Sequence, residues 1–195
     1  MVIKDKSGAL VKKLQSSKIK RRPPRTIRRK SDQFVTAKTY KKCTETNKSN
    51  FKLGKPGSGD ILWDNMSLCM SPGALKNIER DTELNSYGKR AAAHHIVPKG
   101  KHLCGQTDIG EKARNILEKC GNIDINDARN GILLPNSDKS ILSGPIHRGG
   151  HSCKYFTSVY ERLLTAKKND GCTESSIENA LDDIKRLLFE GKMSL

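Results

Sequence analysis

Two histidine pairs and one amide are the residues best suited to chemistry. His94 and His95 are adjacent, His147 and His151 follow 52 residues after His95, and Asn130-Gly131 lies between them. Four of the five histidines in the chain therefore fall into two tight clusters. Neutral imidazole is the commonest metal ligand and the commonest general base near neutral pH. A chain that gathers its imidazoles in this way is set up to bind a metal, to move protons, or to do both.

Spacing narrows the roles. His147 and His151 stand at i and i+4, which on a helix places both rings on one face. Gly149-Gly150 weakens a continuous helix there, so His147 is expected in a loop and His151 in the first turn of the helix that follows. Adjacent residues on a strand point to opposite faces. One imidazole of the 94–95 pair is therefore expected to ligate while the other lies beside the site as a base. Three neutral imidazoles leave open positions on a divalent cation for a phosphate oxygen and water. An amide such as Asn130 could hold the base in one tautomer through a hydrogen bond.

Taken singly, each feature has an ordinary reading. A His-His pair is commonly a strand filler, His-x3-His also occurs in structural zinc sites, and Asn-Gly is commonly a turn. In this order, and without the upstream Cys pair that a zinc finger needs, they point together to a metal site. His102, in Lys99-Gly-Lys-His102, is read as a solvated loop residue.

The elements that position these residues follow from local pattern. Ala91–Val97 reads as a strand ended by Pro98. Asp108-x-x-Glu111 offers a helix start, with Ala113, Ile116, Leu117 and Cys120 at helical spacing and Gly121 as the stop. Ile132-Leu-Leu134 reads as a short buried strand closed by Pro135. From His151 onward, Tyr155, Phe156, Val159, Tyr160, Leu163 and Leu164 form one helical face. Thr173 caps a last helix with Ile177, Ala180, Leu181, Ile184, Leu187 and Leu188 inward, ended by Gly191. Ser71-Pro72 is expected to open a short helix through Ala74, Leu75 and Ile78, and Ala9, Leu10 and Leu14 a brief one.

Charge divides the chain. Its net charge is +16. Residues 1–60 hold 18 Lys and Arg against 4 Asp and Glu, whereas residues 61–195 are nearly balanced at 19 against 17. Residues 1–60 therefore read as a basic, largely disordered tail, broken by prolines and bounded by Lys55-Pro-Gly-Ser-Gly-Asp60. Residues 61–195 read as the folded domain. Lys20, Arg21, Arg22, Arg25, Arg28, Arg29 and Lys30 are the candidate phosphate contacts. The six cysteines form no C-x-x-C pair, and reduced thiols in an intracellular protein are expected. The absence of a long apolar run predicts no membrane span. Met1-Val-Ile-Lys lacks a secretory core, which leaves a cytoplasmic protein or one exported by another route.

The combination Ala93-His94-His95-Ile-Val-Pro98, Ile123-Asp-Ile-Asn126-Asp127-Ala128, Asn130-Gly-Ile-Leu-Leu-Pro135 and His147-x-Gly-Gly-His151 with Tyr155 resembles the AHH nucleases. These belong to the HNH/endonuclease VII group with its ββα-metal fold. The resemblance covers about residues 90–165, with a helix near 173–190 beyond it. It implies an α+β fold and a metal-dependent endonuclease, DNA being the favoured substrate. It also implies His94, His147 and His151 as ligands of one divalent ion (Mg2+, or Zn2+ or Ni2+), His95 as general base, and Asn130 as the residue that orders the base and its hairpin. Such domains occur in bacterial polymorphic toxins paired with an immunity protein. The alternative is a non-catalytic nucleic-acid-binding protein with a structural metal.

Overall fold

The computed structural model describes residues 43, 48–52, 59–73, 75–76, 91–101, 103–138, 140, 142–147 and 149–195. The elements that frame the site are helix α1 (Gly59–Leu68), strand β1 (Ala91–His95) and a short hairpin of β2 (Leu103–Cys104) and β3 (Thr107–Asp108). Helix α2 (Ile109–Gly121) leads through a 3-10 turn (Ala128–Asn130) into β4 (Gly131–Pro135), and helices α3 (Cys153–Asn169) and α4 (Glu174–Phe189) close the chain. Among the described residues, helices and two small antiparallel sheets make this an α+β fold. Its ββα unit is β1, β4 and α3.

β1 and β4 pair antiparallel, with His94 opposite Ile132 and His95 opposite Gly131. Every residue of β4 is buried, because the strand lies between two apolar layers. Ile132 and Leu134 join the core formed by the inner faces of α2, α3 and α4. Leu133, on the opposite face, joins Leu62 and Met66 of α1, with Phe51 and Ala91. Burial on both faces is what a continuous Ile-Leu-Leu run needs. Gly131 is required for space: a Cβ there would overlap the Met66 side chain.

Local signals set most helix ends. Asp108 Oδ1 accepts from Glu111 N–H at 3.0 Å, and Ser152 Oγ accepts from Tyr155 N–H at 3.2 Å. Thr173 and Ser176 form a reciprocal capping box. Three expectations are corrected. β1 stops at His95 rather than Val97, because the Asn130 side chain takes both Val97 N–H and Val97 C=O. Asn122, at φ +47°, ends α2; Gly121 is the last helical residue, where a Cβ would lie 3.0 Å from Ile177 Cγ2. His151 precedes the cap of α3 instead of lying in its first turn.

The expectation of reduced thiols is also corrected. Cys43 bonds to Cys69 and Cys120 bonds to Cys172, while Cys104 and Cys153 are not disulfide-bonded. The second bond ties the end of α2 to the α3–α4 loop. The fold brings these Cα atoms to 5.0 and 4.6 Å, within bonding range, and nothing in their sequence spacing announces it. Cys43 and Phe51 lie in the segment read as a tail, yet one is disulfide-bonded and the other packs on α1. Gly59 and Asp60, read as part of the boundary, begin α1. Residues 72–73 and 75–76 are helical. Ala74, Ile78 and the expected helix around Ala9, Leu10 and Leu14 lie outside the described residues. No helix among the described residues is long and apolar enough to cross a membrane.

Candidate metal centre and active site

The β1–β4 pair and the loop that leads into α3 bring three imidazoles together. The His94 ring centroid lies 5.1 Å from His147 and 4.6 Å from His151, and the last two are 5.3 Å apart. One nitrogen from each ring lies within 4.8 Å of the others. Each ring is delivered by a different device. His94 sits on β1, buried at 2% exposure. His147 is tied to the end of β4, where its N–H donates to Pro135 C=O at 2.6 Å. His151 stands just before α3, against Tyr155 and Phe156. Gly149, at φ +94°, lets the intervening loop turn back.

The three nitrogens suit a divalent cation of borderline softness. Among the described residues this cluster has three members, so a cation held there would keep positions for other ligands. His147 and His151 are half-buried while His94 is buried, so the cluster opens outward on the His147–His151 side.

His95 points elsewhere. Its Nε2 lies 3.1 Å from Asn126 Oδ1. Asn126 is fully buried and firmly held: its C=O accepts from Asn65 Nδ2 at 2.8 Å, and its N–H donates to Asp124 Oδ1 at 2.8 Å. Asn65 comes from α1 and also pairs with both backbone groups of Lys52. The same loop is clamped to α4 by Arg129, whose guanidinium donates to Asp127, Glu174 and Glu178. A partly buried guanidinium met by three carboxylates holds the loop in place.

Asn130 bonds to the backbone beside the 94–95 pair and not to the His95 ring. Its amide bonds to Val97 N–H (2.8 Å), Val97 C=O (3.1 Å) and Ile125 C=O (2.8 Å). It thereby pins the chain after β1 to the loop that carries Asn126, and the side chain that reaches His95 is Asn126. Nothing in the sequence distinguished the two amides four residues apart. Tyr155, read as part of an apolar face and of the motif that carries the resemblance, is 1% exposed and carries two polar contacts: His94 Nε2 at 2.8 Å and Ile96 C=O at 3.0 Å.

Burial favours the neutral form of His94, His95 and His147. Burial, reinforced by His151, His147 and His95, holds His94 well below the ordinary imidazole pKa. Burial also lowers His95, opposed in part by its hydrogen bond to Asn126, and burial lowers His147. Neutral rings have the lone pairs that ligands and bases need. His102 and the basic residues Lys20, Arg21, Arg22, Arg25, Arg28, Arg29 and Lys30 lie outside the described residues.

A two-stranded hairpin closed by a helix, with imidazoles gathered at its edge, defines an HNH-like nuclease fold. Residues 76–188 match the AHH family, a nuclease family of the HNH/ENDO VII superfamily with conserved AHH. The match covers more than half of the chain, and the chain belongs to that family. Its reaction is therefore the hydrolysis of nucleic acid. Neither the curated proteins nor the solved structures include a significant match.

Proposed function

We propose that the protein is a metal-dependent endonuclease acting on DNA, with His94, His147 and His151 as ligands of one divalent ion and His95 as general base. The observation that carries this reading is the division of labour among four imidazoles. Three converge, while the fourth hydrogen-bonds to a separate buried amide. A closed structural site would call for a fourth protein ligand. A bound cation would polarise the phosphate and stabilise the charge on the leaving oxygen.

The chain's own groups supply the rest. Neutral His95 accepts a proton from the attacking water as the water oxygen bonds to phosphorus and the phosphorus–oxygen bond to the leaving sugar breaks. The His95–Asn126 bond orients the ring, and Asn65 and Asp124 hold Asn126 in turn. Asn130 keeps the loop and the hairpin in register. The basic residues 20–30 add phosphate affinity that is independent of sequence and weakened by salt. The family resemblance supports a role as an exported bacterial toxin with an immunity partner. Two disulfides suit a protein that meets an oxidising compartment.

The test is cleavage of plasmid DNA and of a structured RNA with Mg2+, Zn2+, Ni2+ or EDTA, beside His95→Ala. We expect metal-dependent DNA cleavage. His95→Ala should lower the rate by about 10²- to 10⁴-fold, the range for loss of a general base, with metal affinity kept. RNA as the better substrate would overturn the DNA assignment. Cleavage unaffected by EDTA or by His95→Ala would overturn the mechanism.

A further inference from the structure

The contacts of Tyr155 bear on which nitrogen of His94 carries the proton. Tyr155 Oη lies 3.0 Å from Ile96 C=O and 2.8 Å from His94 Nε2. A carbonyl oxygen can only accept, and a phenol has one hydrogen to give. With that hydrogen donated to Ile96, the phenol oxygen meets His94 as an acceptor, so Nε2 must carry the ring proton. A neutral imidazole has a single N–H, and its lone pair then falls on Nδ1. The chain of donors runs from His94 Nε2–H to Tyr155 Oη–H to Ile96 C=O, entirely within the core.

Resting on the metal-site reading above, we propose that Tyr155 is a positioning residue that locks His94 as the Nε2–H tautomer, so that Nδ1 is the atom offered to the cation. Its place suits the task. Tyr155 lies in the first turn of α3, three residues after the Ser152 cap and four after His151. Ile96 directly follows β1, which carries His94. One hydroxyl therefore ties the strand bearing one ligand to the helix start beside another. The ring could fill the same space without an oxygen, as Phe156 does next to it. Burying the hydroxyl in an apolar core has a cost unless it is bonded, and the two groups it meets are the His94 ring and the backbone beside it. Metal-bound histidines elsewhere use an acceptor on the second ring nitrogen in the same way, and loss of such a partner typically weakens metal binding by about 10- to 100-fold.

The experiment is nitrogen-15 NMR of histidine-labelled, metal-free protein, together with Zn2+ and Ni2+ titrations of wild type and Tyr155→Phe. Two-bond proton–nitrogen couplings identify the tautomer directly. We expect His94 as Nε2–H in the wild type. In Tyr155→Phe we expect a mixture of tautomers and metal affinity lower by about 10- to 100-fold, with circular dichroism unchanged. A wild-type Nδ1–H tautomer would overturn the proposal whether or not the variant folds. So would unchanged tautomer and affinity in a folded Tyr155→Phe. Cleavage enters neither readout. A protein that shows the expected tautomer and metal affinities but cuts no nucleic acid would refute the nuclease mechanism and leave this assignment standing.

Discussion

Removing the Asn126 amide tests whether His95 is the base. The His95–Asn126 contact is a single hydrogen bond of 3.1 Å between a half-buried ring and a fully buried amide. A bond of that kind contributes about 1 kcal/mol net, which corresponds to roughly 5-fold in the population of correctly oriented rings. Asn126→Ala should therefore slow cleavage by about 5- to 10-fold, well short of the loss in His95→Ala. The direction of the pH effect is a sharper test. The Asn126 bond raises the His95 pKa against the lowering effect of burial. Its removal lowers that pKa further, and the acid limb of the pH–rate profile moves to lower pH. Asn126→Asp places a carboxylate in the same position, and the limb moves to higher pH. The assay is single-turnover cleavage across the acid limb at saturating metal, with metal affinity measured in parallel. An acid limb that neither substitution moves would refute His95 as the titrating base. A loss as large as in His95→Ala, at unchanged metal affinity, would show that Asn126 does more than orient a ring.

Two further outcomes follow from the burial and the covalent framework. Because burial depresses the pKa of His94, the folded metal-free protein binds fewer protons than the unfolded chain once pH falls below the ordinary imidazole value of 6.5. Stability is therefore fully present above that value and is lost progressively from there down to the depressed folded pKa, with a slope from His94 of at most about 1.4 kcal/mol per pH unit. Thermal unfolding in EDTA between about pH 7.5 and 5.5 measures this slope, and a melting temperature that is flat or rises with acid would contradict it. The Cys120–Cys172 bond closes a separation of 52 residues, for which chain entropy predicts about 4 kcal/mol of stabilisation. Denaturant unfolding of the Cys120→Ser/Cys172→Ser pair should show a loss of that order, and unchanged stability would argue that the bond does not form.

Local pattern made the ββα core readable. The 3.6-residue spacing of Ala113, Ile116, Leu117 and Cys120 gives α2, and that of Tyr155, Phe156, Val159 and Leu163 gives α3. Thr173 marks the start of α4 because capping chemistry acts within one turn. Elements whose support comes from far along the chain were not readable. The two-residue strands β2 and β3 carry no periodic apolar signal. Helix α1 takes its burial from Leu133 and Ala91, remote residues whose packing no local window reports.

The histidine types and their order pointed to metal and proton chemistry from the sequence alone, because the choice of functional group is a local property. The tertiary structure decided which atoms meet. Asn126 rather than Asn130 reaches His95 across 31 positions. Tyr155 contacts His94 across 61, and four of the six cysteines are joined in two pairs. Each of these depends on distances of a few ångströms between segments far apart in the chain. Packing of the whole core sets such distances, and no local spacing records them.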